Sequence, residues 1–376
     1  MSTSETVVGA TLRVGCSRDD LVSALAIASR GLSTRSAVQI LSGVLLQAEA
    51  GRLNLAATDM ELSLRTSLEA QVHGEGAAVV PGRLLVDLAR LLPDQEVTLE
   101  QVAEENSLRV TCGSAEYRLR TYGVEDFPRL PDVDAVPLSS VDAEPLLTTI
   151  ARVSRSASRD ESRPVLTGIL ARFEQGKLVM AATDSYRLSV KETELAGEFP
   201  ELDAIIPARA LDELRRIAVG ADRVQVGVHE NQVVFGTDGV WLTTRRIDGQ
   251  FPNYKQLLPE TFEHEVVLPR GELLDVVRRT AVMAQRNSPL RLRFAEGELT
   301  ISAQTQDVGE SRETLPAPFS GEPLEIGFNA EFLRDGIESV ESDELTLKLI
   351  NPLRPGLIQG GGDDFWYLIM PIRLAG

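Results

Sequence analysis

The sequence predicts an α+β protein built from three repeated domains, each with its helices on one face of antiparallel sheets. Three observations carry that reading. Ordered blocks recur at a spacing near 125 residues, short alternating strands outnumber helices, and 376 residues suit three domains of that size. Ile40-Leu41-Ser42-Gly43-Val44-Leu45-Leu46 returns as Val165-Leu166-Thr167-Gly168-Ile169-Leu170-Ala171, shifted by 125. Gly51-Arg52-Leu53 and Ala56-Ala57-Thr58-Asp59 return at the same shift as Gly176-Lys177-Leu178 and Ala181-Ala182-Thr183-Asp184. Val80-Pro81-Gly82-Arg83 is echoed by Ile206-Pro207-Ala208-Arg209, now shifted by 126. A fainter third copy holds Gly297-Glu298-Leu299 and Phe328-Asn329-Ala330-Glu331. The repeats place the domains at 1–129, 130–253 and 254–376.

Within a copy, the elements follow from local pattern. Ser17 with Asp20 after it opens the first helix, and Leu21, Leu25 and Ala28 form its apolar stripe. Gly51–Leu64 alternates, with Leu53, Leu55, Leu62 and Leu64 on the buried face of strands. Glu100–Leu119 holds two more strands hinged at Glu104-Glu105-Asn106. Each copy thus has about two helices. Thr58-Asp59 and Thr183-Asp184 recur at strand ends, where turn capping is the expected role. After them, the first copy runs Met60-Glu61-Leu62 and the second Ser185-Tyr186-Arg187-Leu188. That reads as one added residue and a new cation, which would account for the shift growing to 126.

Charge is unevenly placed. Asp and Glu total 56 against 38 Lys and Arg, a net −18 that argues at first against a nucleic-acid binder. Yet every predicted helix is rich in arginine: Arg30 and Arg35, Arg83 and Arg90, Arg152, Arg155 and Arg159, then Arg209, Arg215 and Arg216. Arg270, Arg278, Arg279 and Arg286 follow, and Arg334 belongs to the sixth helix. Arg152, Arg155 and Arg159, spaced i, i+3, i+7, are expected on one helical stripe. A shared positive surface is the simplest account of six helices with one bias.

Catalytic patterns are absent. His73, His229 and His264 are scattered, and no HExxH, Cys-x-x-Cys, Gly-x-Ser-x-Gly or Walker-type sequence occurs. No enzyme, metal or cofactor is expected. Gly360-Gly361-Gly362 precedes a strand and reads as a turn. Cys16 and Cys112 form no disulfide framework. Neither a signal peptide nor a membrane-length apolar run is seen, so a soluble cytoplasmic protein is expected. The end of the chain, Phe365-Trp366-Tyr367-Leu368-Ile369-Met370-Pro371, is apolar where chain ends usually fray. Pro371 suggests an edge strand, or a tail lining an apolar groove.

Together these pieces resemble the bacterial sliding clamp, the beta subunit of the DNA polymerase III holoenzyme, over essentially the whole chain. The most specific elements are the terminal Tyr367-Leu368-Ile369-Met370-Pro371-Ile372-Arg373-Leu374, the block Ala182-Thr183-Asp184-Ser185-Tyr186-Arg187-Leu188, and Phe251-Pro252-Asn253-Tyr254. Arg159-Asp160 followed by Pro164-Val165-Leu166-Thr167-Gly168 looks like the actinobacterial branch. The resemblance implies three clamp domains per chain and a head-to-tail homodimeric ring around duplex DNA, helices inward and sheets outward. It implies sequence-independent, topological DNA binding, and partners (replicative polymerase, clamp loader, repair proteins) that dock short linear motifs in a groove between domains 2 and 3.

Carried over position by position, the DNA-facing set is Arg35, Arg83, Arg90, Arg152, Arg155, Arg159, Arg209, Arg215, Arg216, Arg278, Arg279 and Arg334, with Arg35 and Arg159 foremost. The groove set is Arg163, Leu166, Thr183, Arg187, Leu188, Pro252, Leu257, Leu368, Met370, Pro371, Ile372, Arg373 and Leu374. Apolar peptide anchors would meet Leu166, Leu188 and Met370, and Arg163 or Arg187 would take backbone or acidic groups. The ring interface would use Tyr117 and Leu119 against Val282 and Met283. The resemblance resolves the charge conflict, since an acidic exterior biases DNA toward an arginine-lined hole. Two departures stand out: Ser36-Ala37-Val38-Gln39 lacks the family's usual prolines, and Gln256 replaces a common cation. A clamp duplicate tolerant of a groove-binding inhibitor, or a repeat scaffold that never encircles DNA, are the alternatives.

Overall fold

The computed structural model describes residues 11–33, 37–133, 136–174, 176–195, 202–284, 288–305, 309–362 and 364–374. The chain packs as two compact units, Met1–Ala143 with Glu213–Arg246, and Glu144–Asp212 with Ile247–Gly376. The division runs through the second repeat rather than between repeats. Its cause is strand pairing, which joins each half of the second repeat to a neighbouring copy.

In the first unit, α1 (Arg18–Ala28) is capped as its sequence predicts, with Ser17 Oγ accepting from Asp20 N at 3.1 Å. Leu21, Leu25 and Ala28 are buried. They join α2 (Gly82–Leu91) and the inner faces of two antiparallel sheets in one core. One sheet has five strands, ordered Gln71–Gly74, Arg13–Ser17, Glu96–Val102, Ser107–Cys112 and Ala115–Arg120. The other has eight, and in it Val240–Arg245 of the second repeat pairs with Leu62–Glu69 of the first.

The second unit repeats the plan. It carries most of α3 (Ala143–Val153), then α4 (Pro164–Thr167), the start of α5 (Ala208–Ile217), α6 (Arg270–Ala281) and α7 (Ala330–Glu338). In its eight-stranded sheet, Phe365–Ile369 pairs with Arg187–Glu194. A four-stranded sheet runs Gly309–Pro316, Glu298–Thr305, Leu290–Ala295, Leu324–Phe328.

The two junctions share one register. Trp241, Leu242, Thr243 and Thr244 face Arg65, Leu64, Ser63 and Leu62. Trp366, Tyr367, Leu368 and Ile369 face Val190, Ser189, Leu188 and Arg187, every number 125 higher. The repeat is therefore exact in hydrogen-bond geometry where the sequence has already drifted.

Three sequence expectations change. The turn after Thr183-Asp184 has no added residue. Thr58 Oγ1 donates to Leu62 O and Asp59 Oδ1 accepts from Leu62 N; Thr183 and Asp184 make the same bonds to Arg187. Met60 and Ser185 share φ of 80°. Arg187 thus stands where Leu62 stands, and the extra residue falls after strand Arg187–Glu194. Second, the terminal strand is interior, not at an edge: it ends at Ile369 and has neighbours on both sides, so Pro371 never enters the ladder. Third, Arg152, Arg155 and Arg159 form no helical stripe, because α3 ends at Val153 and a 3-10 turn, Ser154–Ser156, follows.

Candidate functional site

The predicted groove residues lie in the second unit, Leu188 and Leu368 on the face of its eight-stranded sheet opposite to Arg187. Leu188 and Leu368 sit directly opposite each other in the junction. Both are buried in a cluster with Leu170, Val179, Val190, Tyr254 and Leu357, flanked by Phe251, Leu258, Phe262 and Trp366. Leu188 and Leu368 therefore floor the site rather than line its surface. Its exposed apolar groups are Leu257, Met370 and Tyr186, 50%, 42% and 61% accessible. Pro252 is exposed beside Phe251, and Leu166 is half-buried at the end of α4.

Two segments converge on the Asp184-Ser185-Tyr186 turn. Arg163 donates to Ser185 Oγ at 3.1 Å while its Nε holds Asp160 at 3.1 Å. Met370 N donates to Tyr186 O at 2.8 Å. Thr183 serves the turn, buried, with its hydroxyl bonded to Arg187 O at 2.7 Å. Beyond Pro371 the tail leaves the sheet and bridges the strand Leu324–Phe328, where Ile372 N donates to Gly327 O at 2.8 Å. Ile372, Arg373 and Leu374 there line a cavity of about 290 Å3 with Glu325, Gly327, Pro352 and Leu353.

Arg187 is not available to a ligand. Alternation along its strand turns it to the face opposite Leu188. It is buried there, donating to Asp184 at 3.0 Å, to Asp335 at 2.6 Å and to Tyr367 Oη at 3.4 Å, with its guanidinium over the Phe332 ring. Burial alone would lower its pKa; Tyr367, Asp335 and Asp184 outweigh that and hold it above the ordinary arginine value. Of the two cations offered for recognition, only Arg163 faces the groove.

The predicted DNA-facing arginines divide. Arg83, Arg90, Arg159 and Arg209 are exposed. Arg216 is exposed and paired with Glu213, which also takes Arg30 at 3.1 Å; Arg215 is half-buried. In the second unit, α7 supplies counter-charges: Glu338 holds Arg155 at 2.5 Å and Arg278 at 2.8 Å, and Asp335 holds Arg334 at 3.4 Å. Arg152 is a correction. It is buried, donates to Ser339 O at 2.7 Å and Glu341 at 3.2 Å, and lies over the Phe365 ring, where burial lowers its pKa. Arg279 is also aimed elsewhere, clasping Glu313 of the outer strand Gly309–Pro316 at 2.6 Å. Arg35 lies outside the described residues.

Models of the DNA polymerase III beta subunit match three consecutive stretches: its N-terminal domain at residues 12–131, its central domain at 140–253 and its C-terminal domain at 255–373. The chain belongs to the beta sliding clamp family. It is 34% identical to the beta sliding clamp of Streptomyces coelicolor and 36% identical to that of Synechococcus elongatus, covering 97% and 96% of this chain and all of each relative. The sliding clamp of Bartonella birtlesii, solved bound to griselimycin, superposes with a TM-score of 0.90 at 28% identity, over 97% of this chain and all of the other.

Of the positions that clamp resemblance gave to the ring interface, Tyr117 is 43% and Val282 74% exposed. Met283 packs partly against the second unit's core. Leu119 is a core residue of the first unit at 6% exposure. Tyr186, exposed on the turn that Arg163 and Met370 contact, is not in the sequence-predicted groove set. The signal was present: an aromatic side chain at a turn tip where the first repeat has Glu61.

Proposed function

We propose that this chain is the processivity clamp of its replicative DNA polymerase, two copies closing head to tail into a ring that encircles and slides on duplex DNA. It acts without catalysis and in the cytoplasm, holding polymerase, clamp loader and repair proteins by short linear motifs. The observation that carries the reading is the pair of internal strand junctions in one register, with Ala115–Arg120 and Gly309–Pro316 left as outer strands. A chain that joins its own repeats this way has one matching edge at each end, and such a heterologous contact closes when its rotation permits.

The groove around the Asp184-Ser185-Tyr186 turn receives the peptides. Met370, Leu257 and Tyr186 supply exposed apolar contact, Leu166 and the Leu188–Leu368 floor supply depth, and Arg163 supplies a cation. Arg83, Arg90, Arg155, Arg159, Arg209, Arg216 and Arg278 meet phosphates without reading bases. Topology rather than affinity retains the DNA, so carboxylates beside these arginines suit a ring that must slide.

The test is retention on circular against linearised duplex after loading. Loss of protein on linearisation is expected; equal retention on both would reject the ring.

A further inference from the structure

The junction of the second and third repeats is polar inside where the junction of the first and second is apolar. The strand Arg187–Glu194 turns Arg187, Ser189, Lys191 and Thr193 away from the Leu188 face, and all four are buried. At the same register positions, the strand Leu62–Glu69 buries Leu62, Leu64, Thr66 and Leu68. Each polar group of the second set is answered. Ser156 meets Ser189 at 2.6 Å, Thr149 meets Thr193 at 2.5 Å, Asp364 takes Lys191, and Asp184 and Asp335 share Arg187. A buried ionic contact adds little stability over an apolar one, so its value lies in what it connects.

Both junctions hold a buried carboxylate on the following helix. Ile169 faces Ile206 as Leu290 faces Phe328, which makes Glu213 of α5 and Asp335 of α7 structural equivalents. Each takes the arginine that follows the first helix of the preceding repeat, Arg30 on Glu213 at 3.1 Å and Arg155 on Asp335 at 3.6 Å. Each also takes an arginine of its own helix, Arg216 on Glu213 and Arg334 on Asp335 at 3.4 Å. Asp335 takes Arg187 in addition, at 2.6 Å; at the first junction that strand position is Leu62.

We infer that Asp335 couples the peptide groove to the arginines that meet duplex DNA, so that each ligand tightens the other. The inference rests on the groove and duplex readings above. Arg187 fixes the groove turn from beneath by holding Asp184 at 3.0 Å. The other oxygen of Asp184 accepts from Tyr186 N at 2.9 Å and Arg187 N at 3.0 Å, and Tyr186 O accepts from Met370 N. On the far side of Asp335, Arg155 and Arg334 are each 40% exposed and can leave for a phosphate, whereas Arg187, at 8%, cannot. Phosphates that draw the two exposed arginines off leave the carboxylate to Arg187. The turn stiffens, and a peptide then loses less freedom on docking. Linkage requires the peptide to tighten the duplex by the same factor.

The test is calorimetric titration of the full chain with an end-capped, uncharged pentapeptide of apolar residues, with and without a saturating short linear duplex. An uncharged peptide avoids direct repulsion from the duplex. Tightening of about 3-fold is expected in low salt, the scale of exposed ion pairs. It should disappear once salt releases the duplex. Arg187→Leu gives the second junction the residue of the first, and Asp335→Asn keeps the side-chain shape without the charge. In either variant with a cooperative melt the ratio of affinities should fall to unity, whatever its own peptide affinity. Peptide binding that the duplex leaves unchanged or weakens, or coupling that survives in a folded variant, would overturn the inference while leaving both sites in place. A peptide that fails to bind at all would sink the groove reading and the inference with it, and a duplex that fails to bind would do the same to the DNA reading.

Discussion

Arg187 and Asp335, 148 residues apart in sequence, meet at 2.6 Å with both side chains buried. The contact ties the turn beside the groove to α7. In the first repeat the same place is filled by Leu62, 2% exposed, so the second repeat has exchanged a core leucine for a buried cation. A buried ion pair is costly to break from one side, about 3–5 kcal/mol, because the remaining charge lacks a partner. Asp335→Ala removes one of the two carboxylates that hold Arg187, leaving Asp184 with the Tyr367 hydroxyl, and should lower urea-unfolding stability by about 3 kcal/mol. Arg187→Leu should cost less, since Asp335 retains Arg155 and Arg334 and Asp184 retains two backbone donors. The reverse order would contradict this account.

What the sequence made legible was local. The Ser17 cap, the Thr-Asp turns, the αL residue Asn106 at the predicted hinge and the strand alternation all depend on neighbours within a few positions. The resemblance brought Leu166, Leu188, Leu368 and Met370 into one region. Illegible were the properties set by a distant element. Arg152 and Arg187 look like solvated cations in sequence, and each is buried by residues from the third repeat: Ser339, Glu341 and Phe365 around one, Asp335 and Phe332 around the other. Counting arginines on helices could not separate those left exposed from those already answered by α7.

Glu338 tests that separation. It holds both Arg155 and Arg278, so Glu338→Gln should release Arg278 and leave Arg155 with its longer contact to Asp335 at 3.6 Å. Non-specific duplex binding should tighten, and the slope of log K against log salt should steepen by about 1–2, near one for each phosphate gained. Titrating binding over a range of salt would show it, and an unchanged slope would place these arginines away from DNA. Burial pushes the Glu338 carboxyl up, but Arg278 and Arg155 outweigh it and hold the pKa below the ordinary 4.5. A lowered pKa means stability present above pH 4.5 and lost as pH falls through the native value. The Gln variant should show a shallower acid loss of melting temperature.

Cys16 gives a prediction at the other end of the scale. Burial, with Asp20 and Glu96 nearby, pushes its thiol from 9.0 up to about 12. A raised pKa stabilises the fold below the unfolded value, and that contribution fades between pH 9.0 and about 12. Thiolate is the reactive form, so Cys16 should resist alkylation in the native chain at about pH 8 and react once urea unfolds it. Mass spectrometry of the modified peptide reads this directly. Fast native labelling would mean that the strand Arg13–Ser17 opens readily.

The tail beyond Pro371 gives a way to disturb the groove without altering a groove side chain. A Cβ on Gly327 would lie 2.6 Å from Leu374 Cδ2 and 2.9 Å from Ile372 O. Leu374 could rotate away, but the Ile372 carbonyl is backbone held by the bridge to Gly327, so the segment must shift. Gly327→Ala should therefore lift Ile372–Leu374 from their strand at a stability cost of about 1–3 kcal/mol, the usual penalty for overpacking. Met370 is anchored separately, through its N–H to Tyr186 O, and should keep its place. Peptide affinity measured by fluorescence polarisation should fall if the tail forms one wall of the groove, and removing Arg373 and Leu374 should produce the same loss with dimerisation intact. Full affinity in both variants would confine the groove to the turn at Ser185 and Tyr186, with Met370 as its last residue.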